Sequence, residues 1–321
     1  MLNIVELKNK VLNNYNITKE DALKLVDAPL NELTNQANEI RKHFCGNSFD
    51  ACTIINVKSG KCSENCIFCA QSKHHNTDID IYPMMPIDEL RQKTLTLYNA
   101  GLKRISYVAS GKSVSDDEFK KLSCLINELT DEYSDMKLCV SLGLLDNAPI
   151  SILKKSGVDR IHNNLESSNE YFSNICTTHS YNEKLKTLDL IDCENVDVCS
   201  GGIFGLGETF EDRIDLAIQL RKLGVKSIPI NILNPIKGTP VENREILTNE
   251  EVSRIVAIFR FINPDAYIRL AGGRLLLGDN GRKAFQSGAN ASILGDMLTT
   301  DGLKLEDDLK LLKEIGYEIF F

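Results

Sequence analysis

The stretch Cys62-Ser-Glu-Asn-Cys66-Ile-Phe-Cys69 places three thiols at spacings of four and three residues in one short segment. A loop that folds around a metal cluster can direct all of these sulfurs toward one centre. Structural zinc sites and ordinary ferredoxin clusters take four protein ligands, and no fourth cysteine follows within this run. The pattern therefore predicts a cubane iron–sulfur cluster with one iron left open to bind a substrate or cosubstrate. A partial zinc site or a redox loop is the alternative.

Around this loop, short β-rich runs alternate with segments of helical length. Strands are predicted at 52–58, 103–109, 136–142, 159–165, 196–203, 226–232, 266–272 and 290–294, and helices at 87–100, 115–131, 149–156, 182–193, 209–223, 248–262, 279–286 and 305–316. Strict alternation implies a parallel sheet, and eight strand–helix pairs close a barrel. We therefore expect an α/β fold: a (β/α)8 TIM-type barrel as a single domain over 46–321, with an N-terminal helical extension over 1–45.

The composition excludes several classes of partner. The formal charge is −8 and the chain has no basic cluster, which argues against nucleic acid. No apolar run approaches the length of a membrane span, and the early charges of the N-terminus are not those of a secretory signal. Ten cysteines in such a chain indicate reduced thiols and metal ligation, so we expect a cytoplasmic protein without a membrane partner.

One face of the predicted strands is unusually polar. Side chains alternate inward and outward along a barrel strand, so if Cys52 is inward, Ile54, Asn56 and Lys58 are inward too. The same parity in later strands gives Cys139, Ser141, His162, Asn164, Glu166, Cys199, Gly201, Ser227, Asn231, Arg269, Asn290 and Ser292. Burying so many polar groups is costly unless they bind something. The interior is therefore predicted to hold a ligand or a second cofactor.

Further stretches, beyond the three-cysteine run, carry a family resemblance. They lie at 58–62, 108–111, 161–165, 199–209, 228–231, 237–240 and 268–274. Through them the chain resembles the biotin synthase family of radical S-adenosylmethionine (SAM) enzymes. The resemblance implies a sulfurtransferase that forms biotin from dethiobiotin, with two SAM molecules, a [4Fe-4S] cluster and an auxiliary iron–sulfur cluster as sulfur donor. It also implies a homodimer and an electron donor such as flavodoxin or ferredoxin.

The resemblance assigns roles residue by residue. It implies that Cys62, Cys66 and Cys69 hold the cluster to which SAM binds. Phe68 stands where the family has an aromatic residue beside the adenine. The remaining matches are to polar contacts with SAM or dethiobiotin, at Asn164, Glu166, Lys184, Lys58 and Asn231. Lys184 replaces the more usual arginine for the SAM carboxylate, so it supplies charge without a bidentate fork.

The auxiliary cluster is where the sequence departs from the family. Cys139, Cys199 and Arg269 match three of the four usual ligands of a [2Fe-2S] cluster. The fourth is usually a cysteine on the second strand, where this chain has Ser106, and a hydroxyl is a poor substitute for a thiolate on iron. Our hypothesis is that the thiolate has moved to Cys52 on the first strand, giving a cluster of altered geometry or of higher nuclearity, such as four irons with an extra sulfide. The alternative is that Cys52 is a buried small hydrophobe.

Two other functions stay open at this point. One is a different radical SAM enzyme of the same subgroup, of the hydrogenase-maturation or methylornithine synthase type, although inward thiols at Cys139 and Cys199 argue against it. The other is a non-catalytic iron–sulfur carrier. The remaining cysteines, at Cys45, Cys124, Cys176 and Cys193, show no partner pattern.

Overall fold

A ring of parallel strands forms the centre of the fold. The computed structural model describes residues 3–295, 297–299 and 302–320. In these residues the strands are β1 (Ser48–Lys58), β2 (Arg104–Ala109), β3 (Lys137–Ser141), β4 (Arg160–His162), β5 (Asp197–Cys199), β6 (Gly202–Phe204), β7 (Ser227–Ile232), β8 (Tyr267–Leu270), β9 (Ala291–Ile293) and β10 (Glu318–Phe320). Their order is β10-β1-β2-β3-β4-β5-β7-β8-β9, β6 pairs with β7, and β9 also pairs with β1. That last pairing closes the barrel.

The helices surround this ring. They are α1 (Ile4–Leu12), α2 (Lys19–Lys24), α3 (Leu30–Cys45), α4 (Ile87–Asn99), α5 (Asp116–Glu132), α6 (Asn147–Lys155), α7 (Asn169–Phe172), α8 (Tyr181–Cys193), α9 (Phe210–Lys222), α10 (Asn249–Ile262), α11 (Arg282–Gln286) and α12 (Leu305–Glu314), with a 3-10 turn at Arg274–Leu277. Ser115, Ser180, Thr209 and Thr248 each begin a helix with a reciprocal capping box. Because such a box satisfies two free backbone donors, it sets where the preceding loop ends.

The TIM-type (β/α)8 prediction is confirmed, with a break in the fifth strand. The predicted strand 196–203 forms two short strands, β5 and β6, that both pair with β7. Between them, a Cβ on Gly201 would lie 2.0 Å from the carbonyl oxygen of Pro229, so only glycine fits this close approach. The short strand β10, which pairs with the start of β1, was not predicted.

The predicted inward parity of Asn290 and Ser292 is wrong. In the register of β8 and β9, the inward Arg269 lies beside Ala291, and Ile293 lines the barrel interior. The Asn290 amide oxygen accepts hydrogen bonds from Arg260 Nη2 at 2.8 Å and from the backbone nitrogen of Ile268 at 3.0 Å. Asn290 is therefore a structural polar residue in the layer between barrel and helices.

The N-terminal helices cover α10. Every residue of this helix from Ile255 to Ile262 is buried, so its burial extends beyond the face that meets the barrel. α3 packs against it with Leu33, Ala37 and Ile40 buried, while α2 packs against α9. Among the described residues no helix is both long and apolar enough to cross a membrane.

A buried ion pair anchors the C-terminal helix. Arg274, in the turn after β8, contacts Asp308 of α12 through two parallel bonds, Nη1 to Oδ1 at 2.6 Å and Nη2 to Oδ2 at 2.7 Å. Their side chains are only 3% and 0% exposed. The bidentate geometry compensates the loss of hydration that burying both charges entails.

Removing one partner should therefore be costly. We expect Asp308→Asn to lower the free energy of unfolding by about 3–5 kcal/mol, because the Arg274 charge is left buried and unpaired. Denaturant unfolding measures this. The matched control is Glu314→Gln, which breaks the exposed pair of Arg282 and Glu314 on neighbouring elements and should cost less than about 1 kcal/mol. Equal effects of the two substitutions would contradict the expected role of burial.

Candidate active site

A cavity of about 370 Å³ occupies the barrel interior. It is lined by alternate residues of the strands and by side chains of the loops that follow them. The sequence-predicted residues among its lining are Cys52, Phe68, Cys139, Asn164, Glu166, Cys199, Asn231 and Arg269. Because polar and thiol-bearing side chains line it, this interior differs from the packed apolar core of an ordinary barrel. The structure thus brings most of the predicted residues into one space.

Three thiols, on β1, β3 and β5, share this cavity. Cys52, Cys139 and Cys199 are 8%, 5% and 8% exposed. The hydroxyl residue Ser106 on β2 also lines the cavity, beside Cys139 in the strand register. Arg269 Nη1 lies 3.0 Å from the Cys52 sulfur. The residues proposed as auxiliary-cluster ligands are therefore near one another, and the soft sulfur donors suit iron.

Beneath the thiols lies a charged network that the sequence analysis missed. The Asp50 carboxylate contacts Arg269 Nη2 at 2.9 Å, Arg104 Nε at 3.1 Å and Arg160 Nη1 at 3.2 Å. Arg104 also pairs with Asp159. Burial alone would raise the pKa of Asp50, but the three guanidinium groups hold it at about 2. Three cations face two carboxylates, which leaves a positive surplus beside the thiols.

The three thiols differ in their ease of ionisation. Burial raises the pKa of Cys52 and raises that of Cys139 to about 12. Burial also acts to raise the pKa of Cys199, but the charge and hydrogen bond of His162 outweigh it and lower the pKa to about 6. Cys199 is therefore the thiol of this set that is readily available as a thiolate near neutral pH.

The three-cysteine loop lines a second pocket, of about 210 Å³, above the first. Cys62, Cys66 and Cys69 all contribute to its lining, together with Lys184. The loop is held by backbone hydrogen bonds from Cys62 N to the Gln71 oxygen at 2.9 Å and from Cys69 N to the Cys66 oxygen at 3.0 Å. Thiolates are the usual ligands of iron–sulfur clusters, so this donor set fits the predicted cluster.

Glu166 lies where the two pockets meet. Its side chain lines both, and its Oε2 atom is buried without a hydrogen-bond partner. Burial raises the pKa of this carboxyl, although the Lys184 charge opposes the shift. The backbone is also unusual, because Glu166 adopts a left-handed φ of 69°. An unpartnered acceptor held in a strained conformation points to a ligand that donates to it.

Three predicted contact residues are partly engaged elsewhere. Lys58 lies outside both pockets and bonds to Glu118 Oε1 at 2.8 Å. Asn231 lines the main cavity, but its amide donates to the Gly202 oxygen at 3.1 Å and accepts from Gly272 N at 3.0 Å. Lys184 Nζ lies 3.4 Å from Asn163 Oδ1, near the three-cysteine loop.

A second group that the sequence analysis did not assign adjoins the three-cysteine loop. The sulfurs of Cys176 and Cys66 lie within 4.8 Å of each other, and this proximity raises the pKa of Cys66 and lowers that of Cys176. His179 and Glu64 also lie here, with His179 Nδ1 2.6 Å from Glu64 Oε2. In the sequence, only the three-residue spacing of Cys176 and His179 indicates this group. Its contact with the three-cysteine loop joins segments that are far apart in the chain.

Comparison with known proteins agrees with this geometry. The Radical SAM superfamily model matches residues 56–220, and the model of the Biotin and Thiamin Synthesis associated domain matches residues 229–318. The biotin synthase of Brachyspira hyodysenteriae is 51% identical over 99% of this chain and 95% of that protein. The biotin synthase of Clostridium botulinum (strain Langeland) is 49% identical over 99% of this chain and all of that protein (100%).

Solved structures with similar folds are more distant in sequence. Methylornithine synthase superposes with a TM-score of 0.85 at 19% identity, covering 98% of this chain and 97% of that one. The hydrogenase maturase HydG of Carboxydothermus hydrogenoformans gives a TM-score of 0.83 at 17% identity, covering 99% and 79%. At these identities the likeness shows the shared barrel fold alone.

The buried Glu166 carboxyl, with one oxygen lacking a partner, makes stability depend on pH. Its pKa in the folded protein is raised, so the stabilisation given by the protonated form is present at low pH and is lost as pH rises through that pKa. We expect Glu166→Gln to raise the free energy of unfolding of the cluster-free protein by about 1–2 kcal/mol at pH 8, with a smaller gain at lower pH.

The control for this substitution is Glu208→Gln. Glu208 is also buried, but its Oε1 accepts hydrogen bonds from Arg213 Nε at 2.7 Å and Gly205 N at 2.9 Å. This change should therefore destabilise the protein. Anaerobic denaturant unfolding at several pH values measures both variants. A pH-independent effect of Glu166→Gln would show that ionisation of this carboxyl is not the cause.

Proposed function

Because the chain belongs to the biotin synthase family of the radical SAM superfamily, we propose that it inserts sulfur into dethiobiotin to form biotin. The observation that carries the proposal is the pair of adjoining pockets. One is lined by the three-cysteine loop and the other by three buried thiols, and Phe68 and Glu166 line both. A substrate between them lies between a radical source and a store of sulfur.

The proposed reaction requires bound cofactors in an interior that excludes water. An unactivated C–H bond has no acidic proton and no leaving group, so acid–base catalysis cannot break it. When bound, the cofactors supply a 5′-deoxyadenosyl radical from SAM and sulfur from the auxiliary cluster. The chain's own task is to orient the reactants and to exclude water, which the enclosed barrel interior favours.

We assign the upper pocket to SAM and its cluster. Cys62, Cys66 and Cys69 bind the [4Fe-4S] cluster, and Phe68 packs beside the adenine. Glu166 accepts hydrogen bonds from the ribose, an assignment that its unpartnered oxygen supports. Lys184 supplies positive charge to the SAM carboxylate as a single-point donor.

We assign the lower cavity to dethiobiotin and the auxiliary cluster. Asn164 and Asn231 contact the substrate. Lys58 lies near the substrate without contacting it, since its ammonium group is paired with Glu118. Cys52, Cys139, Cys199 and Arg269 hold the auxiliary cluster. The 3.0 Å approach of Arg269 to the Cys52 sulfur supports the thiolate on the first strand as a ligand. A cluster of higher nuclearity than [2Fe-2S], with an extra sulfide, fits the changed ligand positions.

Four further assignments complete the proposal, two from the family resemblance and two from the sequence pattern. We propose a homodimer that receives electrons from flavodoxin or ferredoxin and works in the cytoplasm. We also propose the division into an N-terminal extension over 1–45 and one barrel domain over 46–321. The buried contact of α3 with α10 supports a single cooperative unit in which the extension completes the barrel's outer layer.

Product analysis tests the reaction. Reduced, anaerobically reconstituted protein with SAM and dethiobiotin should give 5′-deoxyadenosine, methionine and biotin. Cys66→Ala should abolish all three products, whereas Cys139→Ala should keep SAM cleavage and lose biotin. SAM cleavage by the unaltered protein without biotin or thiolated dethiobiotin would favour an enzyme of the hydrogenase-maturation or methylornithine synthase type. No SAM cleavage at all would favour an iron–sulfur carrier.

Iron and sulfide counting with Mössbauer spectra tests the role of Cys52. We expect Cys52→Ala to lose the auxiliary cluster while the SAM cluster remains, because a neutral methyl group cannot bind iron. Cys124→Ala is the control, since that thiol is exposed on α5. Combining Cys52→Ser with Ser106→Cys should restore an auxiliary cluster by returning the thiolate to β2. An unchanged cluster in Cys52→Ala would refute the relocation.

A further inference from the structure

We propose that Cys66, Cys176 and His179 form a loading site for one divalent iron ion in the cluster-free protein. The two sulfurs and a ring nitrogen of His179 all lie within 4.8 Å of one another. Two thiolates and an imidazole are a common donor set for tetrahedral divalent metals. Metal bonds of about 2.0–2.3 Å place such donors roughly 3.5 Å apart, so the side chains need to close by about 1 Å.

A carboxylate is placed to complete the site. Glu64 Oε2 lies 2.6 Å from His179 Nδ1, and the same nitrogen lies 3.3 Å from the Cys176 sulfur. Glu64 also accepts a hydrogen bond from Thr178 Oγ1 at 2.8 Å, which fixes its position. Because Glu64 lies at the same ring nitrogen as the Cys176 sulfur, its carboxylate is placed to take the fourth position on an ion held there.

The two segments that contribute the donors are tied together without any cluster. The Asn65 side chain accepts hydrogen bonds from Thr177 N at 3.0 Å and Thr178 N at 3.3 Å, and donates to Thr177 Oγ1 at 2.7 Å. Ile67 N donates to the Ile175 oxygen at 3.0 Å. Because these bonds involve only protein atoms, the donor set is preformed before metal binds, which lowers the entropic cost of binding.

The site has its own route from solvent. A surface depression of about 430 Å³ is lined by Cys176, His179 and Glu183, among others. His179 also lines the pocket of the three-cysteine loop, so it lies between the depression and that pocket. An ion can therefore reach Cys176 from outside without passing through the barrel interior, and then move to the loop.

Because Cys66 is shared, the loading site cannot hold its ion while the [4Fe-4S] cluster is bound. This thiol belongs both to the loading site and to the proposed [4Fe-4S] ligand set. Once the cluster has taken Cys66, the loading site keeps one sulfur and loses its affinity. The inference concerns how the upper pocket is filled and goes beyond the proposed reaction with dethiobiotin.

Cobalt binding tests the site itself. Cluster-free, full-length protein is titrated anaerobically with Co²⁺ alone, and the visible bands of tetrahedral, thiolate-bound cobalt are recorded. We expect one tight equivalent that Cys66→Ser and Cys176→Ser abolish and that Glu64→Gln weakens about 10–100-fold. Cys69→Ser and Cys124→Ser should bind like the unaltered protein. Loss of binding in Cys69→Ser, or normal binding in folded Cys176→Ser, would place the ion in the three-cysteine loop and overturn the proposal.

Reconstitution kinetics test the loading role. With Fe²⁺ and sulfide, Cys176→Ser should assemble the SAM cluster several-fold more slowly but reach the same final iron content. Circular dichroism checks that the variant is folded, and Cys124→Ser is the kinetic control. Cluster assembly at the unaltered rate in Cys176→Ser would overturn the role even if cobalt binds. Neither readout depends on biotin formation, so the outcome is separate from that of the proposed reaction.

Discussion

The Asp50 carboxylate is the interaction on which the barrel interior depends. It lies on β1 and contacts guanidinium groups from β2, β4 and β8, so one buried anion joins four strands of the ring. A buried charge of either sign is tolerated only when it is paired, and each member of this network is therefore needed by the others. The surplus of positive charge favours anionic sulfur in the same space. The floor of the cavity stays polar because its charges are paired across the strands.

Local patterns in the sequence were sufficient to predict the barrel fold and the three-cysteine loop. Alternating strands and helices depend on short-range spacing, and so does a ligand run such as that from Cys62 to Cys69. The inward parity also held for Cys52, Cys139 and Cys199. It failed for Asn290, because polarity was taken as a sign of facing the interior, whereas this amide is satisfied by Arg260.

The features that the sequence analysis missed have two different physical origins. Asp50, Arg104 and Arg160 precede Cys52, Ser106 and His162 by two residues, so the same alternation extended toward the strand starts would have found them. By contrast, the contact of Cys176 with the three-cysteine loop joins residues 111 positions apart, as in the bond to Asn65. The short strand β10 is similarly determined by its distant partner β1. No local pattern encodes such pairings.

The N-terminal helices are synthesised first but acquire their partners late. Arg254 of α10 donates to the carbonyl oxygen of Ala28 at 2.7 Å, across 226 positions of the chain. Until α10 leaves the ribosome, α3 can pack against α1 but the face of α3 that meets α10 stays uncovered, and such surfaces promote aggregation. This face of the nascent chain therefore stays without its native partner for most of synthesis. Ordering of the first forty-five residues would mark the end of folding, well after the first strands of the barrel can pair.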